Sequence, residues 1–334
     1  MLIILHDLLI NVKIYDIFLQ KRKEEAEMIT MANVGENVKG KMFVKSVNQG
    51  TTKAGNPYLD LFLADKNGEI NAKVWENVEQ AVGCFVPNTI VYVEGDIKEF
   101  KGVKQLTVTV FEPTEGNLED FIKTAPVSSN ETFAKIWQTL RYEIRNPNIA
   151  KITERILEKY EKHFKEYPAA KGMHHAYVGG LSYHTCGMLN IAKSIVELYP
   201  FLNKDLLFAG VILHDVCKVR EYTDPVNPNY SIEGKLIGHI SMIAEEIELV
   251  AKDLEIKGEE VLLLKHMVLS HHGKLEWGSP VQPMIPEAEM LHFIDNMDAK
   301  MEMYRSALEK IEPGQFSDRI AGLDGRTVYK HRLQ

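Results

Sequence analysis

Seven side chains in this sequence are of the kinds that bind divalent transition metals. They are His184, the dipeptide His214-Asp215, His239, the pair His271-His272, and Asp295. Imidazole and carboxylate groups both ligate such ions. The seven spread over about 110 residues, so they meet only if separate helices pack around one centre. Each histidine alone is weak evidence, because a lone histidine in an apolar helix is usually a satisfied core or surface residue. The ordered set is stronger. His184 follows Gly179-Gly180-Leu181 and begins a helical stretch. His214 and Asp215 end the apolar run 206–213. His239 opens the next long helix, His271-His272 terminate another before Gly273, and Asp295 lies on the last apolar helix. At each place an unpaired polar group would be costly.

Adjacent residues on a helix point about 100° apart. His214 and Asp215 can therefore reach one centre only near a helix end, or between two metals that the aspartate bridges. His266 lies out of phase with the pair at 271–272 and reads as supporting or core. His292, nearly one turn before Asp295, is a candidate to support a ligand. His163 and His331 read as surface. His6-Asp7 repeats the dipeptide but has no companion ligands nearby and reads as chance.

Helices must position these groups, and the pattern after residue 127 provides them. Apolar faces at helical spacing cover 133–140, 149–163, 187–198, 204–213, 235–254, 259–272 and 288–308. Before them, between Gly40 and Phe111, the pattern is of short strands. Period-two alternation over 58–64 and 69–75, with Asp65-Lys66-Asn67-Gly68 as a turn, is followed by apolar runs at 89–94 and 105–110. About five strands in some seventy residues suggest an OB-fold barrel. The expected fold is thus two domains: an all-β OB barrel over 32–112, a linker over 113–127 broken by Pro113, Gly116, Asn117 and Pro126, and an all-α bundle over 128–334. No nucleotide-binding glycine loop of either common type is present.

Charge narrows the partners. The chain of 334 residues carries a net charge of −8, so any nucleic-acid contact must be local rather than global. Residues 39–112 hold nine lysines and nine acids and are neutral. Lys45, Lys53, Lys73, Lys101 and Lys104 lie there among aromatic residues. Single-strand binders stack bases on aromatics and track the backbone with cations. Most of these aromatics should fill the barrel, but Trp75 and Phe100, near turns and lysines, are the ones expected at the surface. Cys84, Cys186 and Cys217 form no paired motif, which favours a reducing compartment and a cytoplasmic location. The apolar start, Met1 to Phe18, is interrupted by His6, Asp7, Asn11, Lys13 and Asp16. It reads as a short amphipathic helix rather than a signal or membrane span, or as an extension upstream of a true start at Met28 or Met31.

The order H…HD…H…HH…D resembles the HD-domain superfamily of metal-dependent phosphohydrolases. The likeness extends to Tyr167-Pro168, His174-His175, Gly180-Leu181, Gly238-His239-Ile240-Ser241, the stretch 269–280 (LSHHGKLEWGSP), and 291–301 (LHFIDNMDAKM). With the barrel upstream, residues 32–330 resemble the YhaM-type 3′→5′ exoribonucleases of Gram-positive bacteria. The tail 1–30 has no counterpart in that pattern. Cys217 stands where HDxGK motifs commonly carry glycine, which could perturb Lys218 or make the site sensitive to oxidation.

The resemblance implies removal of nucleoside 5′-monophosphates from the 3′ end of single-stranded RNA, with some action on single-stranded DNA. It implies two divalent ions, manganese first, with cobalt, magnesium or iron as alternatives. One ion would take His184, His214, Asp215 and Asp295. The other would share Asp215 and add His239 with one or both of His271 and His272. Water activated by the two cations would attack phosphorus. Lys218 would hold a phosphate oxygen, and His175 would contact phosphate or protonate the leaving oxygen; His174 is a weaker candidate. A phosphohydrolase acting on small nucleotides is the rival enzyme, but it has no use for the barrel. A cyclic-dinucleotide phosphodiesterase would show a GYP signature after the double histidine, where 273–280 stands instead. A non-catalytic single-strand-binding protein would not need the ligand set. A homo-oligomer is left open: the Met- and Leu-rich C-terminal helix faces suit either a subunit contact or the core.

Overall fold

A computed structural model of the chain describes residues 29–333, so His6-Asp7 and the reading of the first 28 residues lie outside the described residues. The chain divides into two units after Lys123. In the first, five strands close a barrel in the order β1-β2-β3-β5-β4. They are β1 Asn37–Thr51, β2 Pro57–Asp65, β3 Gly68–Val74, β4 Ile90–Phe100 and β5 Val103–Thr114. Alternation decides which side chains face in. Leu59, Leu61 and Leu63 on β2, and Ile70, Ala72 and Val74 on β3, fill the interior, while Asp60, Phe62, Asn71 and Lys73 point outward.

β3 and β5 run parallel and the other pairs antiparallel, so every strand has two neighbours and no edge is left open. The long β1 pairs with β4 over its first half and β2 over its second. An irregularity between Val44 and Ser46 marks the change of partner. That break in alternation is why β1 was the one strand the sequence pattern did not delimit. A short helix, α1 (Val78–Cys84), packs Val78, Ala81 and Cys84 against the barrel core. The stretch read as a linker is partly ordered: β5 continues through Pro113, and a 3-10 turn covers Leu118–Asp120.

The second unit is helical: α2 Ser129–Glu143, α3 Pro147–Glu166, α4 Gly180–Leu198, α5 Lys204–Leu213, α6 Lys218–Glu221, α7 Ile232–Leu236, α8 His239–Asp253, α9 Glu259–Ser270 and α10 Pro286–Leu308. α3 shows how its sequence sets its limits. Asn146 caps it, accepting from the backbone N–H of Asn148 and Ile149, with Pro147 in the first turn. Ile149, Ile152, Ile156, Tyr160 and Phe164 form its buried stripe. α5 differs, because every residue from Leu206 to Leu213 is buried. A helix apolar on all sides runs through the core rather than over it, and α5 delivers His214-Asp215 to the interior. The apolar pattern over 235–254 spans two helices, broken at Ile237-Gly238, and His239 opens the second, α8, as expected. α4 begins at Gly180, earlier than the apolar pattern alone suggests, so His184 sits inside its first turns.

Phe208 is fully buried on α5. Phe208→Ala should lower unfolding free energy by about 3–5 kcal/mol through lost burial and a cavity. Thermal or denaturant unfolding followed through the helical signal reads this directly.

Candidate metal centre

The ends of α5 and α9, the start of α8 and the faces of α4 and α10 bring the seven expected ligands together. Asp215 is 2% exposed and lies at their middle. Its Oδ2 is 3.2 Å from His214 Nε2 and 4.0 Å from His184 Nε2. Its Oδ1 is 3.3 Å from His239 Nε2 and 3.8 Å from His271 Nε2. Each carboxylate oxygen therefore faces a different pair of imidazoles. Asp295 Oδ1 approaches His184 Nε2 at 3.2 Å. His272 rests against His271 with ring centroids 4.4 Å apart, and His239, His271 and His272 can aim one nitrogen each at a common point. His184, His214 and Asp215 form a second such group.

The orientation of each ring has a cause. His214 Nδ1 meets the Val211 carbonyl at 2.8 Å and His271 Nδ1 the Val268 carbonyl at 2.7 Å. Both use a carbonyl three residues back that helix termination leaves open. His272 Nδ1 meets the Trp277 carbonyl at 2.8 Å. His184 Nδ1 meets Asp298 Oδ2 at 2.7 Å and His239 Nδ1 meets Glu221 Oε1 at 2.9 Å. All five partners are acceptors, so Nδ1 carries the proton and Nε2 keeps its lone pair. Among the described residues, the Nε2 atoms of His184, His214, His239 and His271 and Oδ1 of Asp215 are buried without a well-formed hydrogen bond. Buried polar atoms are normally satisfied, and so many orphaned acceptors around one point fit a cation. The donor set of imidazoles and carboxylates suits a divalent transition metal.

Electrostatics agree with that fit. Burial disfavours charge on His271, and the neighbouring His272 and His214 add to it, holding its pKa well below the usual value. His272 is lowered too, by burial and His239. Burial also opposes charge on His184, but the Asp295 and Asp298 carboxylates outweigh it and raise its pKa to about 10. Without a cation this ring takes up a proton on Nε2 as well; a bound divalent ion would replace that proton between the same two carboxylates. Burial pushes Asp215 upward, yet His214, Lys218 and His239 hold it well below the carboxylate range. Asp295 is likewise depressed, burial being outweighed by His184 and His214.

Two supporting residues were missed from the sequence. Asp298, one turn beyond Asp295, accepts from both His184 and His175 at 2.7 Å. Glu221, at the end of α6, takes both the ring and the backbone N–H of His239, the latter at 3.1 Å. An i, i+3 repeat of aspartate on α10 was the available signal for the first; nothing in the spacing marked the second. His292 supports the double histidine as expected, its Nδ1 donating to the His271 carbonyl at 3.2 Å. Gly273 makes room for it. A Cβ there would lie 2.5 Å from the His292 ring, and its φ is +78°. His266 instead accepts from the Met284 N–H, away from the centre.

His175 needs a correction. Its Nδ1 pairs with the Tyr177 hydroxyl at 2.9 Å and its Nε2 with Asp298, and it is 3% exposed. Neither nitrogen is left for a phosphate; the ring orients Asp298. His174 is half-buried, with Nδ1 unpaired and a pKa lowered to about 3 by burial and His184. Lys218 is buried, 2.7 Å from Asp215 Oδ2 and 2.6 Å from the Ala169 carbonyl. Cys217 does not disturb it: the thiol is buried in the core, and burial pushes it up to about 12, away from the reactive thiolate.

On the barrel, Trp75 and Phe100 are exposed as expected, and Phe62 joins them, although most aromatics of this segment are expected to fill the interior. Trp75 stacks on Tyr58 with centroids 4.9 Å apart. Tyr58 itself lies over Gly50, where a Cβ would come within 2.5 Å of the ring. Lys73 sits 5.1 Å from the Tyr58 centroid and 2.7 Å from Asp60, and Lys101 lies 5.5 Å from Phe100. Lys45 pairs with Glu69, Lys104 bonds the Ala32 carbonyl at 2.9 Å, and Lys53 is exposed. Tyr58, Trp75 and Lys73 thus form one cluster, and Phe100 with Lys101 another at the β4–β5 turn.

Removing the acceptor behind His239 should weaken the centre. Glu221→Ala should lower divalent-metal affinity about 10- to 100-fold, read by calorimetric titration of manganese into metal-stripped protein. Unchanged affinity would show that Glu221 does not position His239.

Residues 37–114 match the family described as OB-fold nucleic acid binding domain, and residues 181–300 match the HD domain family. Over 309 residues the chain is 47% identical to the protein of Bacillus licheniformis named 3′-5′ exoribonuclease YhaM, which covers 91% of this chain and 98% of that one. The protein of the same name from Bacillus subtilis is 46% identical over the same shares. That from a Geobacillus species is 48% identical over 91% of this chain and 95% of its own. Among solved structures, the second OB-fold domain of replication protein A from Methanococcus maripaludis aligns at 19% identity and a TM-score of 0.23, covering 28% of this chain and 98% of that one. Among the described residues no helix is long and apolar enough to cross a membrane. The curated relatives match through barrel and helical unit together, and the chain belongs to the YhaM family of 3′-5′ exoribonucleases.

Proposed function

We propose that this protein hydrolyses single-stranded RNA from the 3′ end, releasing nucleoside 5′-monophosphates at the centre around Asp215. The observation that carries the reading is the set of four buried, unpaired Nε2 atoms facing the two oxygens of one carboxylate. Two ions would be held here, one by His184, His214, Asp215 and Asp295, the other by Asp215, His239, His271 and His272. Manganese is the proposed metal, with cobalt, magnesium and iron as competitors. Bound there, divalent cations supply Lewis-acid stabilisation of phosphate oxygens and a lowered pKa for attacking water.

The residues themselves do the rest. The five histidines offer fixed lone pairs because their Nδ1 protons are committed. Asp215 holds its charge against burial and sets the spacing between the two ligand groups. Lys218 already bonds Asp215 and Ala169, and its remaining proton is available to a phosphate oxygen, so it offsets charge as the phosphate arrives. His175 acts through Asp298 on His184. No side-chain nucleophile is required, and the raised thiol pKa of Cys217 disfavours a covalent route.

The barrel makes a polymer the favoured substrate. Trp75 with Tyr58, and Phe100 with Lys101, offer aromatic faces beside cations, the combination that holds single strands without reading their sequence. Action on single-stranded DNA follows from the same tolerance. The cysteines, all free and buried, accord with a reducing, cytoplasmic setting.

A 5′-labelled single-stranded RNA should shorten from its 3′ end with manganese, stay intact with chelator, and stay intact with Asp215→Ala. Full-length RNA alongside rapid hydrolysis of free nucleotides would overturn the reading. Trp75→Ala and Phe100→Ala should each weaken binding of single-stranded RNA by about 1–3 kcal/mol, measured by fluorescence anisotropy with chelator present. Equal binding by the variants would remove the barrel's assigned role.

A further inference from the structure

The Trp277 side chain has no part in the centre as described, yet its backbone is fastened to it. It ends a 3-10 turn, Leu275–Trp277, directly after the double histidine. Its carbonyl accepts from His272 Nδ1 at 2.8 Å. The turn is closed on itself: the Lys274 carbonyl accepts from the N–H of Trp277 at 3.1 Å and of Ser279 at 3.2 Å. The backbone that carries the indole is thus fixed relative to a candidate ligand imidazole, while 46% of the residue's surface stays exposed. Lys274 Nζ lies 4.4 Å from the ring centroid, and 3.8 Å from Glu276 Oε1. A half-exposed aromatic face with a cation over it, held beside the candidate metal centre, has the make-up of a stacking platform with its counter-charge.

We propose that Trp277 stacks the base of the 3′-terminal nucleotide and that Lys274 leaves the ring for a backbone phosphate when the base arrives. This deepens the exonuclease reading and rests on it. The base exchanges with the ammonium for the ring face, and Lys274 reaches a phosphate as a point charge from its flexible stem. Every base has a π-face, so the platform accepts any terminal nucleotide. It also favours unpaired ends, whose base is free to leave its neighbour. The competing role for Trp277 is structural, since its ring also lies 5.8 Å from that of His292 beneath the double histidine.

The test separates the two. Two RNA oligonucleotides differ only at the 3′ terminus, one ending in 2′-deoxyadenosine, the other in its abasic tetrahydrofuran analogue. Removal of that last residue is timed with manganese. In the unaltered protein, kcat/KM should be roughly 5- to 100-fold higher for the residue that carries a base. In Trp277→Ala that ratio should fall to near one, and in Trp277→Tyr most of it should return. Lys274→Ala should lower kcat/KM for both oligonucleotides and flatten the dependence on salt. A ratio in Trp277→Ala equal to that of the unaltered protein, with both rates lowered together, would assign the indole to packing and overturn the proposal. So would absence of any base dependence in the unaltered protein. Hydrolysis of bis(p-nitrophenyl) phosphate by the unaltered protein, with no shortening of either oligonucleotide, would instead overturn the exonuclease reading and this inference with it.

Discussion

A single carboxylate organises the helical unit. Asp215 is buried just past the end of α5, whose residues from Leu206 on are all buried, where an unpaired negative charge would be strongly unfavourable. It is tolerated because Lys218 pairs with it and because the four imidazole lone pairs converging on it leave a place for a divalent cation. The elements that carry them have little freedom once this is required. α5 must end at His214, α8 must begin at His239, α9 must end at His271, and α4 must lie close enough for His184 to reach across. The core of leucine, isoleucine and valine around α5 fixes those distances.

The second constraint is orientation. An imidazole binds a metal with one nitrogen only if the other proton is placed elsewhere. Three of the five histidines solve this with backbone carbonyls, two at helix termini and one in the turn that follows the double histidine. The other two use carboxylates from distant elements, Asp298 for His184 and Glu221 for His239. The first group is local and follows from where helices end. The second depends on packing between helices, and the network around Asp298 draws in His175 and Tyr177. The site is therefore continuous with the core rather than set upon it.

The barrel obeys simpler rules. Alternation sorts its strands into an apolar interior and a polar exterior, and closure leaves no edge. Aromatics on the outer face are the exception to that sorting. Phe62, Trp75 and Phe100 remain exposed where burial would be favourable. Lysines lie close to two of the aromatic groups they belong to, the arrangement a single-stranded polyanion with planar bases would cover.

Residue type and local period settled a great deal without coordinates. They separated strands from helices, bounded α5 at 204–213, picked out the seven candidate ligands, and singled out Trp75 and Phe100 as exposed, because each depends on residue chemistry or on neighbours within a turn or a strand. Tertiary structure decided what depends on distant partners. It turned His175 from a phosphate contact into a support for Asp298, a role invisible in sequence because the two lie 123 residues apart. It brought Glu221 behind His239, kept Cys217 in the core and exposed Phe62. Sequence names the groups able to hold a cation; only packing decides which nitrogen of each ring faces inward, since that choice belongs to whatever accepts the other proton.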